Sequence, residues 1–147
     1  MAPERQPGHE ALYVAVGRLR ELLVGLLSHS LGTGATEGAC LHAAYLVRES
    51  LPILVPGASV AVKGGAGGKA GGCRDSAGLV RGHYWNQVTL PDHTTWLVDV
   101  TADQFGLPPT ICEPLDRSQH THRPGDQVLV DAHVAELAAS LPGAART

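Results

Sequence analysis

Residues 81–106 read RGHYWNQVTLPDHTTWLVDVTADQFG, and this stretch decides how the rest of the chain is arranged. Two runs of alternating, β-branched and aromatic residues flank Pro91, Asp92 and His93, a turn-forming tripeptide. The pattern predicts strands over 79–90 and 94–100 joined as a hairpin. If the loop has three residues, Leu90 faces Thr94 and the numbers of facing residues sum to 184. Asp99 then lies opposite Trp85, and His83 and Asp99 become diagonal neighbours on one face, roughly 7–8 Å apart at the backbone. A two-residue loop puts them on opposite faces unless a bulge intervenes, because a slip of one residue flips every side chain.

Outward from the hairpin, residues 10–30 place Leu12, Val16, Leu19, Leu23 and Leu26 on one stripe at helical spacing, with Arg18, Arg20 and Glu21 off its centre. Residues 40–51 predict a second helix, stopped by Pro52, with Thr36 or Gly38 as its cap and Cys40 in its first turn. Residues 58–63 alternate as a strand. Residues 64–78, GGAGGKAGGCRDSAG, are expected to form a flexible glycine-rich loop without regular structure. A short edge strand is expected near residues 110–113. A closing helix is expected over 126–141, with Asp126 as N-cap. The expected fold class is α+β: N-terminal helices packed on a small antiparallel sheet, plus a C-terminal helix, in one domain spanning 1–147.

Composition narrows the function. The chain has 147 residues, enough for one core. A formal charge of −3 and the lack of a basic run argue against nucleic acid as a partner. No apolar run approaches the length of a membrane span, and the N-terminus lacks an apolar signal region, so a cytoplasmic location is expected. Three cysteines, Cys40, Cys73 and Cys112, are an odd number without paired spacing, which favours reduced thiols.

The candidate chemistry starts from His83 beside Asp99. A carboxylate next to an imidazole fixes its tautomer and stabilises the imidazolium, which makes an oriented base. Cys40 is the best-placed nucleophile for that base. At a helix N-terminus a thiol feels the positive end of the helix dipole, and an imidazolium would lower its pKa further. The free N–H groups of that first turn could supply part of an oxyanion hole.

Cys40 in GACLHAAYLV, His83 in GHYW and Asp99 in LVDVTADQF occur in the order, and on the types of element, of the papain-like and transglutaminase-like superfamily. The chain resembles that superfamily from about residue 36 to 105, and resembles its small bacterial transglutaminase-like members most in GHYW…VDVTADQF. The resemblance implies Cys40 as nucleophile, His83 as general base and acid, and Asp99 as the orienting carboxylate. It implies an acyl-enzyme thioester and no external cofactor or metal. The substrate would be a protein, peptide or small molecule carrying an amide, ester or thioester carbonyl. One departure is that the papain-type glutamine before the nucleophile is missing, the nearest upstream being Gln6. Gln104 is the substitute candidate for the oxyanion hole, and Trp85 for a wall of the substrate site.

Each residue also has a plainer role. Cys40 could be a small buried hydrophobe, His83 a structural histidine, and Asp99 a cap for the turn at Thr101 and Asp103. Cys73 reads as incidental, with a Cys40–Cys73 disulfide conceivable as an oxidation product, and Cys112 as a packing residue. Two other function classes stay open: a non-catalytic peptide-binding module of the same fold, and a metal-dependent protein using His120 and His122 of QHTHRP, whose spacing matches no established zinc pattern.

Overall fold

A computed structural model describes residues 7–31, 39–117 and 121–141. In chain order these form α1 (Pro7–Leu31), α2 (Cys40–Leu54), β1 (Ser59–Gly67), β2 (Gly72–Arg74), β3 (Val80–Thr89), β4 (Thr95–Asp99), β5 (Ile111–Pro114), β6 (His122–Arg123) and α3 (Gln127–Ser140). The six strands make one antiparallel sheet, so the class is α+β.

The hairpin has the register its loop length requires. Asn86 faces Val98 and Thr89 faces Thr95, so facing numbers sum to 184. The turn closes through Leu90 N–H on the Thr94 carbonyl and His93 N–H on the Leu90 carbonyl. His93 takes φ 69°, the left-handed conformation that ends a three-residue loop. Asp92 holds the turn from inside, its carboxylate accepting from the Thr94 N–H and hydroxyl.

Strand β3 is the spine of the sheet. β1 runs along one edge of it, Ser59 facing Thr89 and Gly67 facing Arg81. The other edge is divided: β4 covers 86–89 and β2 covers 80–81. Between them, residues 82–85 of β3 have no described strand on that side. β6 extends the sheet beyond β2, and β5 beyond β4.

Alternation gives the sheet two faces. Val60, Val88, Trp96 and Val98 point toward α1 and α2, where Leu12, Val16, Leu19, Val47 and Leu51 complete the main core. His83, Trp85, Gln87 and Leu97 have the opposite parity, so the two tryptophans serve different faces. Both are buried, Trp85 among the histidines and Trp96 under His9 and Tyr13. The third helix closes a smaller core through Val130 and Val134 on Ala44 and Val62. Its N-cap is Asp126, whose carboxylate accepts the Val128 N–H.

Four expectations change. Residues 64–78 are not irregular: β1 continues to Gly67, a short 3₁₀ turn covers Gly68–Ala70, and β2 follows. Glycine permits this because backbones pass where a Cβ would stand. A Cβ on Gly65 would lie 1.9 Å from the Ala70 carbonyl oxygen, and one on Gly72 1.9 Å from that of Arg81. Pro52 lies inside α2, in its last turn, and the helix ends at Leu54 where Leu51 O accepts from Val55 N–H. A late proline removes one hydrogen bond and leaves the earlier turns intact. The N-cap of α2 is Ala39, without a side-chain bond, and the expected caps Thr36 and Gly38 lie outside the described residues. Leu26, expected on the buried stripe of α1, is 48% exposed.

The glycine run makes a sharp contrast measurable. Gly72→Ala should lower unfolding free energy by about 3 kcal/mol or more, since backbone must move to admit the methyl. Gly68→Ala, with open space around its Cβ position, should cost only about 1–2 kcal/mol for its positive φ. Urea unfolding midpoints of the two variants check the difference.

Candidate active site

The site is assembled at the divided edge of β3. Alternate N–H groups of a strand point to the same edge. Leu90 donates toward the β4 side, so Tyr84, of the same parity, aims its N–H into the gap that neither β4 nor β2 fills. The first residue of α2, Cys40, meets that gap: the N–H groups of Tyr84 and Leu41 both act on its sulfur. Asn86 fixes the helix against the strand. Its buried amide donates to the Ala44 carbonyl at 2.9 Å, one turn beyond Cys40.

His83 and Asp99 meet as the register demands. Nε2 of His83 lies 2.7 Å from Oδ2 of Asp99, with side chains 0% and 1% exposed. An ionised carboxylate only accepts, so Nε2 carries the proton and Nδ1 is the basic atom. That Nδ1 is buried with no partner at full hydrogen-bond distance. The thiol of Cys40 also interacts with the ring. Trp85 stacks on the imidazole and Phe105 meets it edge-on, which fixes the ring plane.

Sequence reasoning missed the other partner of Asp99. His122, on β6, also brings Nε2 to Oδ2, at 2.8 Å, and is 4% exposed. Its Nδ1 lies 2.8 Å from the Thr121 hydroxyl, which donates to it. One carboxylate oxygen thus serves two imidazoles, while Oδ1 accepts from Thr101 N–H at 2.9 Å. Asp99 both caps the turn and holds the histidines, so the two readings of this residue are compatible. The signal for His122 was present in QHTHRP, but its function depends on β6 pairing with a three-residue β2 inside the glycine run. His120 lies outside the described residues.

Arg20 was also underread, as a residue off the apolar stripe of α1. Its guanidinium reaches across to donate to the Val100 carbonyl at 2.6 Å and to both carboxylate oxygens of Asp103. This clamps the turn that leaves β4 directly after Asp99. Of the other expected residues, Trp85 joins the site, and Gln104 has its amide bonded to the Thr101 carbonyl at 2.9 Å. Cys112 packs at the edge of the main core. Cys73 is fully buried in β2, and burial, with the negative charges of Asp99 and Asp75, pushes its thiol up to about 12. All three thiols are free.

The electrostatics follow from these partners. Burial alone would raise the Cys40 thiol, but hydrogen bonding and charge attraction to His83, with the two backbone N–H groups, hold it below its ordinary value. Burial disfavours charged His83, yet Asp99 and then Cys40 outweigh it and raise the imidazole to about 9. Asp99 is penalised by burial and lowered far more by His122 and His83. Both shifts, the thiol lowered and the imidazole raised, act in the direction that favours a thiolate–imidazolium pair.

Linkage then sets a pH profile. The stabilisation from raised His83 is complete below its unfolded value of roughly 6.5 and is lost as pH rises through about 9. That from depressed Asp99 is complete above an unfolded value of roughly 4 and is lost in acid. The depressed Cys40 thiol adds stability as pH rises toward its unfolded value of roughly 8.5 and offsets the His83 loss. The melting temperature should therefore fall in acid as Asp99 protonates and change little between about pH 6.5 and 8.5. Cys40→Ser, which removes the offset, should expose a fall toward about pH 9. Separately, His122→Leu should lower unfolding free energy by about 1.5–3 kcal/mol, the range for a hydrogen bond to a charged group. His122→Gln, which keeps a donor, should recover part of it in the same denaturation assay.

The ligand atoms of His83, Asp99 and His122 lie within 4.8 Å of one another, a possible three-ligand set. The contacts of 2.7 and 2.8 Å to a shared Oδ2 are hydrogen bonds that a cation would have to replace. Among the described residues, no helix is long and apolar enough to cross a membrane. Compared with known proteins, the chain matches no protein-family model, no curated protein and no solved structure.

Proposed function

We propose that this protein is a cysteine-dependent acyl-transfer enzyme of the transglutaminase-like class, working through a Cys40–His83–Asp99 triad. The observation that carries the reading is that Nε2 of buried His83 is committed to Asp99, which leaves Nδ1 as its basic atom, while the Cys40 thiol acts on the same ring. That tautomer is the one a general base needs. In the first half-reaction the Cys40 thiolate attacks an amide, ester or thioester carbonyl. The tetrahedral oxyanion collapses to a thioester as the imidazolium Nδ1–H gives its proton to the leaving group. In the second, His83 takes a proton from water or an amine, which attacks the thioester and regenerates Cys40. Hydrolysis, deamidation and amide formation share these steps.

The amides of Leu41 and Tyr84 approach the sulfur and are the candidates to stabilise the oxyanion. Gln104 is the weaker candidate, because its side-chain N–H already serves Thr101. Trp85 acts by holding the imidazole plane rather than by touching the acyl group. A reducing compartment such as the cytoplasm would keep Cys40 available.

The triad reading predicts that iodoacetamide alkylates Cys40 between about pH 6 and 7, below the ordinary thiol range, and much faster than Cys73 and Cys112. His83→Ala should slow that labelling at least tenfold. Equal labelling of the three thiols in native protein would rule the reading out and leave a binding module of the same fold. A panel of glutaminyl peptides with and without amine acceptors, compared with Cys40→Ala, separates ammonia release from amine incorporation.

A second reading is favoured by the clustered ligand atoms of His83, Asp99 and His122. It requires stoichiometric zinc after purification without chelator, and loss of activity on chelation in place of dependence on Cys40.

A further inference from the structure

On the sheet face away from α1 and α2 there is a cavity of about 350 Å³ whose lining includes Lys63, Trp85, Leu97, Leu115, His122 and Arg123. Its volume falls in the range of small-molecule sites, and its make-up is that of such a site: apolar walls with few, placed polar groups. Lys63 faces Trp85 across the β1–β3 pairing, and Arg123 follows His122 on β6. Two cations therefore border one apolar hollow. No ion pair among the described residues engages either of them, although Arg20, Arg81 and other cations have carboxylate partners. The one buried carboxylate nearby, Asp99, is screened behind the N–H groups of His83 and His122.

The cavity is lined by neither Cys40 nor His83 nor Asp99; it meets that site through Trp85, which stacks on His83, and His122, which bonds Asp99. It is a second site, sharing walls with the triad.

We propose that this cavity binds a small amphipathic carboxylate, a flat apolar body with one anionic group. The body lies against Trp85, Leu97 and Leu115, and the carboxylate is held between Lys63 and Arg123. The guanidinium supplies a planar fork for the carboxylate, and Lys63 a point charge. This binding does not depend on the acyl-transfer reading, so it is measured in a chain without the nucleophile.

The probe is 2-naphthoate, with the uncharged isostere 2-naphthamide as its control, titrated calorimetrically and by tryptophan fluorescence into full-length Cys40→Ala. Expected is one 2-naphthoate per chain, bound at least tenfold tighter than the amide, with a change in Trp85 emission that is absent from Trp85→Phe. Lys63→Met combined with Arg123→Met should remove the preference for the carboxylate while leaving the melting temperature within about 2 °C, as expected of exposed or half-exposed charges. Equal affinity for acid and amide, undiminished preference in the double variant, or no binding of either probe at millimolar concentration would each overturn the proposal.

Discussion

One carboxylate oxygen organises this molecule. Oδ2 of Asp99, buried at the end of β4, accepts the Nε2–H of His83 and that of His122. A buried carboxylate is expensive unless its lone pairs are occupied, and here both oxygens are, with Thr101 N–H on Oδ1. The arrangement ties together three parts distant in sequence: the hairpin, the turn after it, and the short β6. It also determines which imidazole nitrogen of His83 is left to do chemistry. The fold and the proposed reactivity therefore hang on the same contact, because whatever loosens Asp99 also frees the His83 tautomer.

The supporting structure acts on that contact from each side. The left-handed His93 and the Asp92 bonds set loop length, and loop length sets the parity that puts His83 and Asp99 on one face. Arg20 clamps the exit of β4 through Val100 and Asp103. Asn86 pins α2 one turn beyond Cys40, and the gap between β4 and β2 lets the Tyr84 N–H reach the thiol. The helix terminus alone would be a weak activator of a cysteine. Added to a raised imidazole and two backbone donors, it holds the thiol low in spite of its burial.

Much of this was legible in the residues. Hairpin register followed from a three-residue loop and period-two alternation, and Cys40 at a helix start followed from the break before GACLHAAYLV. The cap at Asp126 was readable too, as an aspartate before a helical run. What was not legible depended on long-range backbone pairing. The glycine run reads as irregular because glycine lacks intrinsic β preference, yet here it is the residue that lets strands approach where any Cβ would collide. Missing β2 meant missing β6, and with it His122. Arg20 was read by its place on a helical wheel, but a long side chain reaches beyond its own face. The Pro52 stop failed because a proline in a final turn forfeits only one bond.

The central claim is that His83, oriented by Asp99, holds Cys40 as a thiolate at neutral pH. Its most direct test is the thiolate absorbance near 240 nm, titrated with pH in the native protein against Cys40→Ser. The account predicts a one-thiolate difference already present at neutral pH, with a midpoint below the ordinary thiol range of about 8.5, that moves upward in Asp99→Asn. A difference spectrum that develops only at or above the ordinary thiol value, unchanged by Asp99→Asn, would contradict it.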